Sequence, residues 1–208
     1  MSRPGPGAAL VVNGADLAAL VAARICHDLV GPLGAIGNGV ELLAMTGIGS
    51  GDEPALIAAS SADAAARLRF FRLAYGPAAP GQVVARAEVL QLLAAVSRAG
   101  RVSFLWTVEG DPPRDELRAV LLALQCLETA LPRGGEVQVT KAGASWLLSG
   151  DSPQLQADTG LWAALAAPGS APPPSPAQVQ FALLPAALAA LGRKVVVDHA
   201  PERVVMRF

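Results

Sequence analysis

The chain has 208 residues, 52% of them hydrophobic, 16% charged and 4% aromatic, a composition that supplies a packed core and excludes an intrinsically disordered chain. A formal net charge of -1 gives no basic field for a phosphate backbone, which excludes nucleic acid as the main partner. The mean hydropathy of +0.43 rests mostly on alanine, and charges or turn residues interrupt each apolar stretch before about 18 residues, so a soluble chain with no membrane partner is expected.

In chain order, the run Ala8 to Val12 is shorter than the roughly 7–15 residue apolar core of a signal peptide, and a cytoplasmic location follows as an expectation. Asp16 to about Met45 reads as one long helix, with Asn13 as its cap and Asp16 in the first turn, where an acidic group is favoured. Gly47 to Gly51 ends it. A second helix starts after Asp52, tolerates Pro54 in its first turn and runs to about Tyr75, so the pair forms a hairpin. Gly76-Pro77-Ala78-Ala79-Pro80-Gly81 can continue neither helix nor sheet and places a domain boundary there, giving domains of 1–79 and 80–208.

Beyond the boundary, period-two and period-3.6 patterns alternate. They predict a helix about Arg86–Ala99, a strand about Val102–Val108, a helix about Arg114–Leu131, strands about Glu136–Lys141 and Ser145–Ser149, and a helix about Leu155–Ala166. Pro168 to Pro176 is a loop of polyproline character, read as a spacer. A helix about Ala177–Leu191 stops at Gly192, and strands Lys194–Asp198 and Arg203–Phe208 close the chain. The two cysteines, Cys26 and Cys126, and the two histidines, His27 and His199, show no metal-ligand spacing, so neither a metal nor a resident cofactor is expected.

In the first helix Ile25, Leu29, Leu33, Ile36, Val40 and Leu43 are separated by three or four residues and fall on one stripe. Ile57, Ser61, Ala64, Leu68, Phe71 and Tyr75 repeat that spacing in the second. A lone hairpin buries little, so the simplest completion is a four-helix bundle made by a homodimer; the alternative is that the second domain covers the seam. His27 lies two residues from both Ile25 and Leu29, roughly 160–200° around the helix, and therefore faces outward. Arg24, Gly31, Gly34 and Asn38 share its face, and Asp28 follows it. Two glycines inside a helix cost about 1 kcal/mol each relative to alanine, which implies a close approach by something else. Pro32 removes a backbone donor and bends the helix.

An exposed imidazole with a neighbouring carboxylate fits a nucleophile reached by another macromolecule, because imidazole is substantially unprotonated near neutral pH. Asp28 is placed to hold one ring nitrogen and orient the other. Arg24 is placed either to offset phosphoryl charge or to pair with Asp28 along the helix.

The string Cys26-His27-Asp28-Leu29-Val30-Gly31-Pro32-Leu33 resembles the H-box of sensor histidine kinases. Extended from Arg24 to Leu43, and continued by Arg67-Leu68-Arg69-Phe70-Phe71-Arg72-Leu73-Ala74-Tyr75-Gly76, it is similar to the ChpT-type histidine phosphotransferases. The resemblance implies an α+β fold: a hairpin that dimerises into a four-helix bundle, then an α/β sandwich like the Bergerat-type ATP-binding domain of histidine kinases. It also implies a phosphorelay. A receiver-domain aspartyl phosphate, from a hybrid kinase upstream, donates to His27, which passes the group to a response regulator; Mg²⁺ is carried by the receiver. By the same resemblance Asp28 is the acid beside the phosphoacceptor. The face made by Arg24, Asp28, Gly31, Gly34 and Asn38, read from the helical spacing, is expected to receive the partner. Gly31 stands where many kinases place a residue used in phosphatase chemistry, which puts that activity in doubt.

Set against kinases, the positions of the asparagines that hold Mg²⁺ and phosphate become Leu122 and Cys126, neither of which binds a hard cation. The turn Ser149-Gly150-Asp151-Ser152-Pro153 lacks the glycines that admit a nucleotide, and Val179-Gln180-Phe181-Ala182 stands in place of a glycine-rich lid motif. The expected function is phosphotransfer through His27 without ATP. The alternatives are a non-catalytic dimeric adaptor and a divergent autokinase.

Overall fold

The computed structural model describes residues 14–46, 52–156, 159–167 and 173–208. The capping role of Asn13, the break at Gly47 to Gly51 and part of the proline-rich spacer lie outside the described residues. Helix α1 spans Gly14–Thr46 and α2 spans Glu53–Tyr75. They pack side by side as the hairpin read from the sequence. At 1.5 Å per residue, the 33 residues of α1 extend about 50 Å. The helices approach closely at Gly39, since a Cβ there would lie 2.5 Å from Ile57 Cγ1.

By length and composition α1 meets the criterion for a membrane span, with a hydropathy of 1.4 over its most apolar part. The interruptions counted in the sequence therefore do not break it below that length. In the structure it lies along α2, and its N-terminal half packs against residues 176–190 and the core they belong to.

The remaining elements are α3 (Arg86–Ala99), β1 (Val102–Trp106), α4 (Arg114–Ala130), β2 (Gly135–Ala142), β3 (Ser145–Asp151) and α5 (Thr159–Ala166), followed by a 3-10 turn at Pro176–Gln178, then α6 (Val179–Ala190), β4 (Val196–Ala200) and β5 (Arg203–Arg207). The strands form one sheet in the order β1-β2-β3-β5-β4. β1 and β2 run parallel, joined through α4 as a parallel pair requires, and the other pairs are antiparallel. Gly143 takes φ +60 in the β2–β3 turn, a conformation that side chains resist.

The sheet has one buried face. Val137, Val139, Trp146, Leu148, Val204 and Met206 alternate inward, as period-two packing against helices demands. α4 lies between the sheet, α2 and α6, so nearly every residue from Leu117 to Leu127 is buried. The continuous apolar run Ala119–Leu124 suits a helix covered on several sides. Phe70, Phe71, Leu73 and Ala74 of α2 join the same core, and Leu17, Leu20, Val21 and Ile25 of α1 pack against it. The apolar seam thus divides: its Ile25 end is covered by the second domain, while Leu33, Val40 and Leu68 stay 56%, 53% and 56% exposed.

Boundaries moved where pairing partners decide them. β1 stops at Trp106, and two residues on the Val108 carbonyl accepts from the side chains Trp106 Nε1 and Arg86 Nε. β4 begins at Val196 instead of Lys194, its register set by the pairing of Val196 with Arg207 and Ala200 with Arg203. The last helix is split by the tighter turn at Pro176–Gln178, which Ser175 and Gln178 fix as a capping box.

Candidate functional site

The outward direction of His27 follows from helical geometry, and its side chain is 83% exposed. Asp28, one residue on, turns toward the second domain and is only 12% exposed. Its Oδ1 lies 3.0 Å from His27 Nδ1. Its Oδ2 accepts from Arg24 Nε at 2.7 Å, one turn back along α1. An ionised carboxylate can only accept, so the ring that pairs with it carries its proton on Nδ1 and presents the Nε2 lone pair to solvent.

Arg24 completes the group from below. Its Nη1 donates to the carbonyl of Ala177, 2.8 Å away at the 3-10 turn that precedes α6. Its Nε and Nη1 are therefore both engaged, and the pairing with Asp28 read from the sequence is present. Gly31, Gly34 and Asn38 remain exposed on the outer face with His27. A Cβ at Gly31 or Gly34 would meet no atom within 4 Å, so the surface beside the imidazole is smooth and open. The residues grouped by helical spacing thus fall into two sets: His27, Gly31, Gly34 and Asn38 outside, Arg24 and Asp28 facing inward.

Behind Asp28 a cavity of ≈ 70 Å³ lies between hairpin and second domain, lined by Arg24, Asp28, Arg67, Phe70, Phe104 and Glu128 among others. Glu128 lines this cavity while keeping surface open to solvent. Its pKa is raised, by desolvation first and then by Asp28, against the opposing charges of Arg24, Arg67 and Arg101. Helical periodicity does not single out Glu128 or Ala177, because both arrive from elements far along the chain, α4 and the 3-10 turn. Arg67 sits in the second helix with no local spacing that would bring it to Asp28.

In α4, Leu122 and Cys126 are fully buried in the core. Burial pushes the Cys126 thiol well above its ordinary value. Asp151 pairs with Arg203 across the sheet, and Val179, Gln180 and Phe181 are buried in the first turn of α6. Among the described residues no group of three His, Cys, Asp or Glu side chains is placed to hold a metal ion.

The family described as "Histidine phosphotransferase C-terminal domain" matches residues 86–203. The chain is 35% identical over 139 residues to Protein phosphotransferase ChpT of Brucella abortus (strain 2308), a match covering 65% of this chain and 65% of that protein. A solved structure of a bacterial phosphotransferase superposes with a TM-score of 0.77 at 28% identity, covering 95% of this chain and 98% of the other. The Acinetobacter baumannii histidine kinase AdeS reaches a TM-score of 0.41 at 12% identity over 87% of this chain and 95% of the kinase.

Proposed function

We propose, from the premise that the chain belongs to the histidine phosphotransferase family whose C-terminal domain its residues 86–203 match, that it relays phosphoryl groups through His27. The observation that carries the reading is the exposed His27 ring, held at Nδ1 by Asp28 and flanked by the open surface of Gly31 and Gly34. In the first step Nε2 attacks the phosphorus of a receiver-domain aspartyl phosphate. The N–P bond forms, the P–O bond breaks, and its electron pair returns to the receiver carboxylate. The ring keeps its Nδ1 proton and becomes cationic, and Asp28 stabilises that charge as an acid does beside histidine in a triad. The second step reverses these bonds onto the aspartate of a response regulator. Mg²⁺ belongs to the receiver, and this chain brings the nucleophile and the docking face.

The same reading treats the chain as cytoplasmic and as a homodimer, the exposed Leu33, Val40 and Leu68 forming the centre of a four-helix bundle. ATP has no part in it. Support comes from Leu122 and Cys126, which are packed into the core at the positions where the kinase resemblance calls for asparagines.

The test is phosphotransfer from a receiver domain phosphorylated beforehand. His27→Ala is expected to abolish labelling of the chain while leaving its fold unchanged; undiminished labelling would overturn the assignment. Stable receiver binding with no phosphohistidine would instead favour the adaptor reading.

A further inference from the structure

The Ala177 carbonyl that receives Arg24 has a second donor, Gln180 Nε2 at 3.1 Å. Gln180 is fully buried, its Nε2 also lies 3.1 Å from Thr129 Oγ1, and its Oε1 has no protein partner. Thr129 in turn donates to the Gln125 carbonyl at 2.9 Å, which anchors the chain in α4. Leaving one atom of a buried amide unpaired costs about 1–3 kcal/mol. An apolar residue would pack at 180 without that cost, so the amide needs a reason other than packing.

The reason lies at the other end of the chain of bonds. Gln180 and the capping box of Ser175 and Gln178 fix the direction of the Ala177 carbonyl. That carbonyl holds Arg24, Arg24 holds Asp28 Oδ2, and Asp28 Oδ1 holds His27 Nδ1. We infer that Gln180 and Arg24 are positioning residues, through which the second domain sets the tautomer and orientation of the phosphoacceptor ring. The inference rests on the phosphotransfer reading of His27. It gives the second domain a present role: the segment standing where the kinase resemblance calls for a lid motif supports the histidine. Without Arg24 the nearly buried Asp28 carboxylate loses a charge-assisted bond. The Nδ1 proton then loses a fixed acceptor, and Nε2 is protonated for part of the time.

The test uses the full chain and two readouts: nitrogen NMR of the neutral His27 ring, and single-turnover transfer from a phosphorylated receiver domain. The unmodified protein is expected to hold one tautomer, protonated at Nδ1. Arg24→Gln and Gln180→Leu should each give mixed tautomers and slow transfer on the order of 10-fold, the size of effect that losing the outer partner of a metal-bound histidine has. Arg24→Lys should recover part of both. Thr129→Val breaks the same chain at its far end and should shift the tautomers in the same direction, which keeps the test open if Gln180→Leu does not fold. Folded Arg24→Gln and Thr129→Val proteins with an unmixed Nδ1–H ring would overturn the inference. Shifted tautomers in a protein that never accepts a phosphoryl group would refute the phosphotransfer reading and leave the positioning role intact.

Discussion

The same substitution at two glycines of α1 should have opposite effects on stability. At Gly34 a Cβ would meet nothing within 4 Å, so alanine brings only its better helix propensity. That is worth about 1 kcal/mol. For a chain of this size, 1 kcal/mol raises the unfolding midpoint by roughly 2–4 °C. At Gly39 the same Cβ would lie 2.5 Å from Ile57 Cγ1 and 3.1 Å from its Cδ1. Cγ1 is attached directly to the branched Cβ, so α1 and α2 must separate to make room. Overpacking of this kind costs about 1–3 kcal/mol, which cancels or exceeds the propensity gain. Gly39→Ala is thus expected to be neutral to destabilising by about 2 kcal/mol. In an Ile57→Ala background the clash is gone, and Gly39→Ala should stabilise by about 1 kcal/mol. Thermal unfolding of the four variants closes the cycle. A stabilising Gly39→Ala in the unmodified background, or a destabilising Gly34→Ala, would refute the distinction between a packing glycine and a surface glycine.

Two further outcomes test other parts of the structure. Leu33→Glu should weaken self-association by placing a charge on the exposed apolar stripe. Light scattering reads the mass, and a monomeric unmodified chain would refute the dimer. Glu116 accepts from Lys141 Nζ and Trp146 Nε1, each at 2.7 Å, and from Arg193 at 3.0 Å. Burial pushes its pKa up, but those hydrogen bonds and charges prevail and the net shift is downward. A depressed carboxylate stabilises the fold above its unfolded pKa and loses that contribution as pH falls through the folded value. Glu116→Gln should therefore cost on the order of 2 kcal/mol near neutral pH, and its deficit should shrink below about pH 4. A deficit of constant size from neutral pH to pH 3 would contradict this sign.

What the sequence disclosed follows from the range over which each signal acts. α3 runs over Arg86–Ala99 as read, because Gly100 and the apolar spacing are local. The outward turn of His27 was legible for the same reason, since helical period alone decides it. β4 was misplaced by two residues because its limits are set by β5 and not by its own alternation. The seam was read as one surface, but Ile25 rests on the second domain while Leu33 and Val40 do not, a division that only the position of α4 and α6 determines. Arg24 was legible as a neighbour of His27, yet its partner Ala177 lies 153 residues away. Nothing local distinguishes Gly39 from the other glycines of α1, because Ile57, which lies opposite it, belongs to α2.

The central claim is that His27 Nε2 carries the transferred group. Its most direct test is to mix the full chain with a phosphorylated receiver domain, and separately with ATP alone, and to locate any phosphoryl group by phosphorus NMR and mass spectrometry. The expected result is a single phosphohistidine at His27, bonded through Nε2, with the receiver as donor and none with ATP. Labelling at another residue, or at His27 from ATP alone, would contradict the account.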